Sequence, residues 1–219
     1  MNMTTPDQKT IPLFPLGTIL FPDGIIPLKI FEARYLDMIK RCFREGTPFG
    51  VISIINSHGD ESETGNQASV KQSFSEIGTL AVIEDFDPVQ PTVYMIRSIG
   101  TQRFKLLSAR QESDGLWMGD VEMLENDRSV PVPPEHQNVA DLLHEIIEVI
   151  QSQNLIEEPL FKPAANPNDC GWVANRLAEL LPLSLPVKNH LLAQTNPRIR
   201  LDLITEIIED DDLRKLVLH

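Results

Sequence analysis

The fold is decided by the stretch LFPLGTILFPDGIIPLKIFEARYLDMI, which runs from Leu13 to Ile39. Its first half consists of short apolar pieces separated by proline and glycine, a pattern typical of brief β-strands and turns at sheet edges. From position 31 onward, apolar residues recur every three or four positions. This spacing predicts a helix over 31–43 whose apolar face is Phe31, Tyr35, Leu36, Ile39 and Phe43.

The next part of the chain, up to residue 124, is predicted to be mostly β-structure. FGVISII (49–55) is a short apolar run typical of a strand, and a polar loop of 18 residues is predicted at 56–73. Three strands are then predicted at short intervals: GTLAVIEDFDP, TVYMIRSIG and QRFKLLSARQ. In the last of them Phe104 and Leu106 are expected to face inward, and Arg103 and Lys105 outward. A fourth strand, LWMGDVEML, has Gly119 at its centre, where we expect a bulge.

The composition changes at SVPVPPEH (129–136), a stiff proline-rich connector, and only helices are predicted beyond it. One helix is predicted over 134–152, and a second from a cap at Asn168 or Asp169 to Leu181. A third is predicted after Ser184, and a fourth after the Asn196-Pro197 pair. The chain is therefore predicted to be α+β, with a β-rich subdomain at 1–128 and a helical bundle at 129–219.

Composition and charge limit the environment and the partners of the chain. With 219 residues and 42% hydrophobic content it can bury a substantial core. The absence of a secretory pattern or a long apolar run predicts a cytoplasmic protein, with Cys42 and Cys170 as buried, reduced thiols. A net charge of −13, without a cluster of basic residues, argues against nucleic acids and anionic membranes as partners.

The sequence predicts no catalytic residue, no metal site and no cofactor. The usual phosphate-binding and nucleophile motifs are missing. Asp141, His144 and Glu148 share a helix face and could hold a divalent ion, but a solvated polar stripe is the commoner arrangement. Ser184 and Lys188 have the spacing of a Ser-Lys pair, although Ser184 stands where a helix cap is needed.

The opening stretch resembles the Lon N-terminal domain family, and its short standalone members more than the full protease. The similarity is densest at Pro12-Leu13, Leu20-Phe21-Pro22, Pro27-Leu28 and Ile30-Phe31-Glu32-Ala33-Arg34-Tyr35. Gly100-Thr-Gln-Arg103-Phe104 is similar to the glycine and arginine hairpin of that family, and 172–208 to its helical subdomain. The resemblance spans roughly residues 10–210.

The resemblance implies a PUA-like pseudo-β-barrel followed by a helical bundle, and a role in recognising proteins destined for degradation. Six apolar residues of the motif are expected to fill the barrel: Phe14, Leu20, Phe21, Ile26, Leu28 and Phe31. Only eleven residues follow Ile208, so we expect neither an ATPase nor a Ser-Lys protease module. Glu32 and Arg34 are expected to be paired or solvent-facing, with a structural ion pair or a backbone-bridging arginine favoured; Arg34, Tyr35 and Arg103 are candidates for lining a peptide groove.

Three functions remain open at this point. The leading expectation is a non-catalytic module that binds proteins or peptides, including unfolded segments. The alternative is a hydrolase or peptidase whose site is assembled only by the fold. RNA binding through the PUA-like surface would require a basic face, against which the charge balance argues. The expected partners are protein or peptide clients, and a homo-oligomer or an ATP-driven partner stays open.

Overall fold

A computed structural model describes residues 7–55, 73–152, 161–162 and 166–209 of the chain. The predicted loop at 56–73 lies outside these residues, apart from Ser73. The strands are β1 (Gln8–Leu16), β2 (Ile25–Ile30), β3 (Phe49–Ile55), β4 (Ser73–Phe74), β5 (Ile77–Gln90), β6 (Val93–Gln111) and β7 (Trp117–Met123). The helices are α1 (Ala33–Glu45), α2 (Gln137–Ser152), α3 (Cys170–Leu180), α4 (Leu185–Ala193) and α5 (Pro197–Glu209), with a 3-10 turn at Pro134–His136.

The seven strands form one mainly antiparallel sheet in which five strands make a closed circuit. Its order is β1-β7-β6-β5-β3-β4, and β1 also pairs in parallel with β3. β2 lies beside the first half of β6, where it is antiparallel to residues 94–99. The series of paired strands therefore begins and ends at β1, and β6 is the longest strand in it.

Two of the predicted strands are in fact one, because β6 continues for 19 residues through Gly100 and Thr101. A register shift beside Leu80 bends the strand where the two predicted pieces meet. Gly100 lies in this bend, donates its N–H to the Gly24 carbonyl at 2.8 Å and accepts one from the Asp23 N–H at 2.8 Å. A Cβ at position 100 would overlap the Phe21 carbonyl oxygen, so this close approach requires glycine. The motif expected to form a hairpin therefore lies in mid-strand, against the turn at 21–24.

The bulge predicted at Gly119 is found on the neighbouring strand instead. Pairing between β6 and β7 runs from 106 with 121 to 108 with 120, so the register skips Leu107. Gly119 itself pairs regularly with both Ile11 and Ala109. Its lack of a side chain makes room for packing, because a Cβ there would lie 2.9 Å from the side chains of Leu13 and Leu106.

The core forms one cluster between α1 and the sheet, a second among the helices and a smaller one inside the strand circuit. Four of the six residues predicted to fill the barrel are buried, but outside the strand circuit: Phe14, Leu20 and Leu28 lie in the cluster between α1 and the sheet, and Phe21 in the cluster among the helices. Ile26 is half-buried and Phe31 is 65% exposed. The prediction for Phe31 is wrong because α1 starts only at Ala33, with Glu32 as its N-cap, so Phe31 precedes the helix.

The helix boundaries follow the predicted caps closely. The Asp169 carboxylate accepts the N–H groups of Gly171 and Trp172, and the Asn196 side chain accepts that of Arg198 at the start of α5. Ser184 is the N-cap of α4, although its hydroxyl makes no capping hydrogen bond. Cys42 and Cys170 are free and buried, as predicted, and burial raises the pKa of both thiols.

The predicted connector lies against the start of α3. The Val132 N–H donates to the Asn168 carbonyl at 3.0 Å, and the Cys170 N–H to the Val130 carbonyl at 2.8 Å. These two hydrogen bonds fix the path of the chain between β7 and α2. Within the described ranges, the helices fall short of the length and apolar character needed to cross a membrane.

Candidate functional site

Arg103 joins the sheet to the helices and does not face solvent as its position in the alternation predicted. Its side chain is 3% exposed, and Nη1 donates to the carbonyls of Leu192 at 2.8 Å and Gln194 at 2.9 Å. Nη2 forms an ion pair with Asp127 at 2.6 Å. The prediction fails because the end of α4 and the loop after it cover this side of β6, which strand periodicity alone does not reveal.

A second buried arginine shares the same carboxylate. Arg200 of α5 is 1% exposed, and its Nη1 lies 2.5 Å from Asp127 and 3.1 Å from the Asn175 side-chain oxygen. Burial lowers the pKa of Arg103, Arg200 lowers it further, and Asp127 opposes both effects. Two guanidinium groups and one carboxylate thus link β6, the connector and the helices, with backbone carbonyls accepting other N–H groups.

A cleft of about 750 Å³ opens beside this network, between the bend of β6 and the N-terminal half of α3. Its volume is in the range of pockets that take a drug-sized ligand. The residues that give it its chemical character are Gln102, Arg103, Asn126, Asp127, Trp172 and Asn175. None of these except Arg103 was singled out by the sequence. No sequence signal pointed to Asp127, because the strand alternation placed Arg103 outward and so gave it no need of a buried partner.

The two half-buried carboxylates of the cleft are satisfied within the protein, whereas Asp23 and Lys162 line it as exposed charged residues. Asp127 is shared by the two arginines, and the Asp169 carboxylate accepts from the Ser129 hydroxyl and the Val130 N–H. In contrast, the Trp172 indole N–H is buried and has no acceptor among the residues that the structure describes. A buried donor without an acceptor costs about 1–3 kcal/mol. The part of the cleft beside α3 therefore offers neutral hydrogen-bonding groups more than charge.

One turn further along α3, two charged residues hold the turn at 21–24. Arg176 is fully buried, donates to the Pro22 carbonyl at 2.6 Å and lies 3.2 Å from the Glu179 carboxylate. Glu179 in turn accepts the Phe21 N–H at 3.4 Å. Burial raises the pKa of Glu179 to about 7, although Arg176 opposes the rise. Because the turn also pairs with Gly100, α3 and β6 hold it from both sides.

The raised pKa of Glu179 makes stability depend on pH. In the folded state Glu179 keeps its proton up to about pH 7, whereas an ordinary glutamate loses it near pH 4.5. The contribution of this protonation to stability is therefore full below pH 4.5 and is lost as the pH rises through 7. We expect the Glu179→Gln variant to lose this part of the pH dependence. Urea unfolding of both proteins between pH 4.5 and 8 measures it, and a constant difference between them would contradict the assignment.

Glu32, Arg34 and Tyr35 lie at the start of α1 with partners of their own. Arg34 forms an ion pair with Glu32 at 2.6 Å and donates to the Gly115 carbonyl at 2.8 Å, which ties the β6–β7 turn to the helix. Tyr35 is buried, with its ring centroid 4.4 Å from that of Phe14 and 4.8 Å from the Arg34 guanidinium carbon. Arg34 and Arg103 therefore bind different partners, which belong to different parts of the chain.

The side chains weighed for metal binding or nucleophilic chemistry also have definite positions. Asp141, His144 and Glu148 lie on the exposed side of α2. Among the described residues, no group of three or more His, Cys, Asp or Glu side chains is placed to hold a metal ion. Lys188 donates to the backbone carbonyl of Glu179 at 3.1 Å and so links α4 to α3.

The strands form a closed, mainly antiparallel circuit that is followed by a group of helices, and the buried Arg103 links the two. This arrangement defines the class of this protein. The family model described as the ATP-dependent protease La (LON) substrate-binding domain matches residues 10–210. The chain belongs to this family, as its sequence motifs predicted.

Relatives and solved structures agree with this family. The chain is 25% identical to a Lon protease from Anaeromyxobacter dehalogenans over 90% of its length, and 26% identical to protein cereblon from Gallus gallus over 73%. It is 32% identical to a solved Lon N-terminal domain protein from Xanthomonas campestris, with a TM-score of 0.71, over 90% of this chain and 98% of that one. The N-terminal domain of a Mycobacterium avium complex Lon protease has the same fold, with a TM-score of 0.59 over 93% of this chain and all of that one, at 14% identity.

The match covers a small part of the curated relatives. The chain spans 23% of the Anaeromyxobacter Lon protease and 30% of cereblon. What is shared is thus the substrate-binding domain of the family model.

Proposed function

We propose that this chain is a non-catalytic module that binds unfolded or extended segments of other proteins. The observation that carries the proposal is the family itself, because the substrate-binding domain model matches 10–210, nearly all of the described part of the chain. The cleft between β6 and α3 supports it, since its size and hydrogen-bonding groups suit a short peptide segment. The Arg34 end of α1 is the less favoured surface, because Arg34 and Tyr35 are already engaged by Glu32, Gly115 and Phe14.

The architecture proposed for this role has two parts. The strand circuit supports a PUA-like pseudo-barrel at 1–128, and the four helices after it a bundle at 129–219. Asp127, next to the proposed boundary, binds both Arg103 and Arg200, so the two parts would act as one unit. Free, buried cysteines suit a reducing compartment such as the cytoplasm. A homo-oligomer stays a prediction.

The test is binding of a permanently unfolded client. A reduced and carboxymethylated globular protein, labelled with a fluorophore, is titrated with the full chain while fluorescence anisotropy is recorded. We expect saturable binding of the unfolded form and none of the native form. Equal signals for both forms, or no signal for either, would overturn the proposal.

The same samples test the hydrolase alternative. Intact-mass spectra of the client, taken over several hours with and without divalent metal ions, should show no cleavage. Turnover that a single substitution in this chain abolishes would replace the binding function with an enzymatic one.

A further inference from the structure

The groups available in the cleft are those that recognise a peptide main chain. Asn126 is exposed at its rim, Gln102 uses its amide nitrogen to bind the Leu124 carbonyl at 2.7 Å, and Asn175 accepts from Arg200. Primary amides carry both donors and acceptors, so each can bind the C=O and the N–H of a peptide group at once. The Trp172 indole adds a buried donor that lacks an acceptor among the described residues.

The half-buried carboxylates and the buried arginine of the cleft are held by the protein itself, and its other charged lining residues, Asp23 and Lys162, are exposed at one end. Asp127 and Asp169, its buried or half-buried carboxylates, are each held by at least two groups of the protein. Arg103 is oriented by two backbone carbonyls and by Asp127, so it presents little free charge. A charged ligand would have to displace these contacts, whereas a neutral one would leave them intact.

One end of the cleft is closed by the turn at 21–24 and by residues 161–162. Asp23 and Lys162 both line it, and the Lys162 N–H donates to the Asp23 carbonyl at 2.9 Å. Gly24 and Phe161 form an antiparallel bridge at the same place. This wall of the cleft is therefore the turn at 21–24, in which Asp23 has a positive φ of 62°, held to residues 161–162 by one bridge and one hydrogen bond.

We propose that the cleft between β6 and α3 binds an extended client segment by its main chain, with the Trp172 indole N–H and the Asn126 amide as contacts. This inference rests on the proposed function and specifies its site and the chemistry that is recognised. Recognition of the main chain gives affinity with little dependence on the client's side chains. Such a site would suit a module that must bind many different unfolded sequences.

The two tryptophans of the chain provide a direct test. Trp117 packs edge-on against Phe74 at a ring-centroid distance of 4.9 Å, away from the cleft, so Trp117→Phe leaves Trp172 as the single reporter. The probe is a nine-residue uncharged peptide of Ser, Thr, Ala and Val, together with a scrambled version and a version N-methylated at alternate residues. We expect the parent peptide to change the fluorescence emission of Trp172 in a saturable manner. The bound peptide should also protect the Trp172 indole from quenching by acrylamide.

The expected pattern separates main-chain from side-chain recognition. The scrambled peptide should bind within about threefold of the parent, whereas N-methylation, which removes several main-chain donors, should weaken binding by about tenfold or more. Asn126→Ala should weaken binding by about threefold or more, since an amide pair is lost, while Asn138→Ala, an exposed amide on α2, should not change it.

Two results would overturn this inference while leaving the proposed function intact. In the first, the unfolded client binds the full chain but Trp172 emission does not respond to it or to the peptide. In the second, N-methylated and parent peptides bind equally well. If the unfolded client itself fails to bind, the proposed function fails, and the inference with it.

Discussion

Replacing Asp127 with asparagine is expected to lower the free energy of unfolding by about 3–5 kcal/mol. The substitution leaves the guanidinium groups of Arg103 and Arg200 buried without their shared carboxylate, which lies 2.6 and 2.5 Å from them. Burying an unpaired cation is far more costly than losing an exposed ion pair. Urea unfolding monitored by circular dichroism measures the change.

The matched control removes an ion pair that is exposed to solvent. Glu76 lies 2.8 Å from Lys105, next to the same strand, and both side chains are well exposed. Glu76→Gln should leave the urea midpoint of unfolding nearly unchanged, because an ion pair in solvent contributes little to stability. An Asp127→Asn variant as stable as this control would show that the two buried arginines do not depend on the carboxylate.

Phe104→Ala is expected to have a similarly large effect, about 3–5 kcal/mol, through the loss of buried surface and the cavity left behind. Phe104 is fully buried, and its ring occupies the space above two glycines on neighbouring strands. A Cβ at Gly50 would lie 2.9 Å from the ring, and one at Gly78 would overlap it. For a chain of this size the midpoint of thermal unfolding should fall by about 6–20 °C.

Phe31→Ala is the control for that variant, because it removes the same side chain from an exposed position. Phe31 is 65% exposed and precedes the first helix. Its removal should alter stability by no more than about 0.5 kcal/mol. Equal effects of the two substitutions would contradict the assignment of Phe104 to the core.

Local patterns predicted most of the elements of the fold. The proline and glycine punctuation of 13–27, the spacing of apolar residues in α1, and the caps Asp169 and Asn196 all depend on neighbours in sequence. Such signals survive folding because the interactions that they describe are local. The family motif added the overall class, which the comparisons confirmed.

The errors arose where distant parts of the chain meet. Arg103 follows the alternation of an outward-facing residue, yet the end of α4 and the loop after it cover it, and each supplies one carbonyl acceptor. Gly100 looks like a strand break, but it continues β6 because the turn at 21–24 lies against it. No pattern within either segment indicates its partner, so sequence periodicity could not predict these contacts.

The candidate site was predictable only in part, for the same reason. Arg103 was singled out from the resemblance, but its expected neighbours Arg34 and Tyr35 belong to the start of α1. No local pattern marks Trp172 or Asn126 as a site residue, and they come together only when α3 packs beside the bend of β6. The chemistry of the cleft is therefore a property of the assembled fold.

The central claim, that client segments bind in this cleft, is tested most directly by site-specific photocrosslinking. An unfolded client carrying a benzophenone side chain is irradiated with the full chain, and the crosslinked residues are identified by mass spectrometry. The account predicts crosslinks concentrated at 100–103, 126–129 and 171–175. Crosslinks concentrated instead around Arg34 and the start of α1, or spread evenly over the surface, would contradict it.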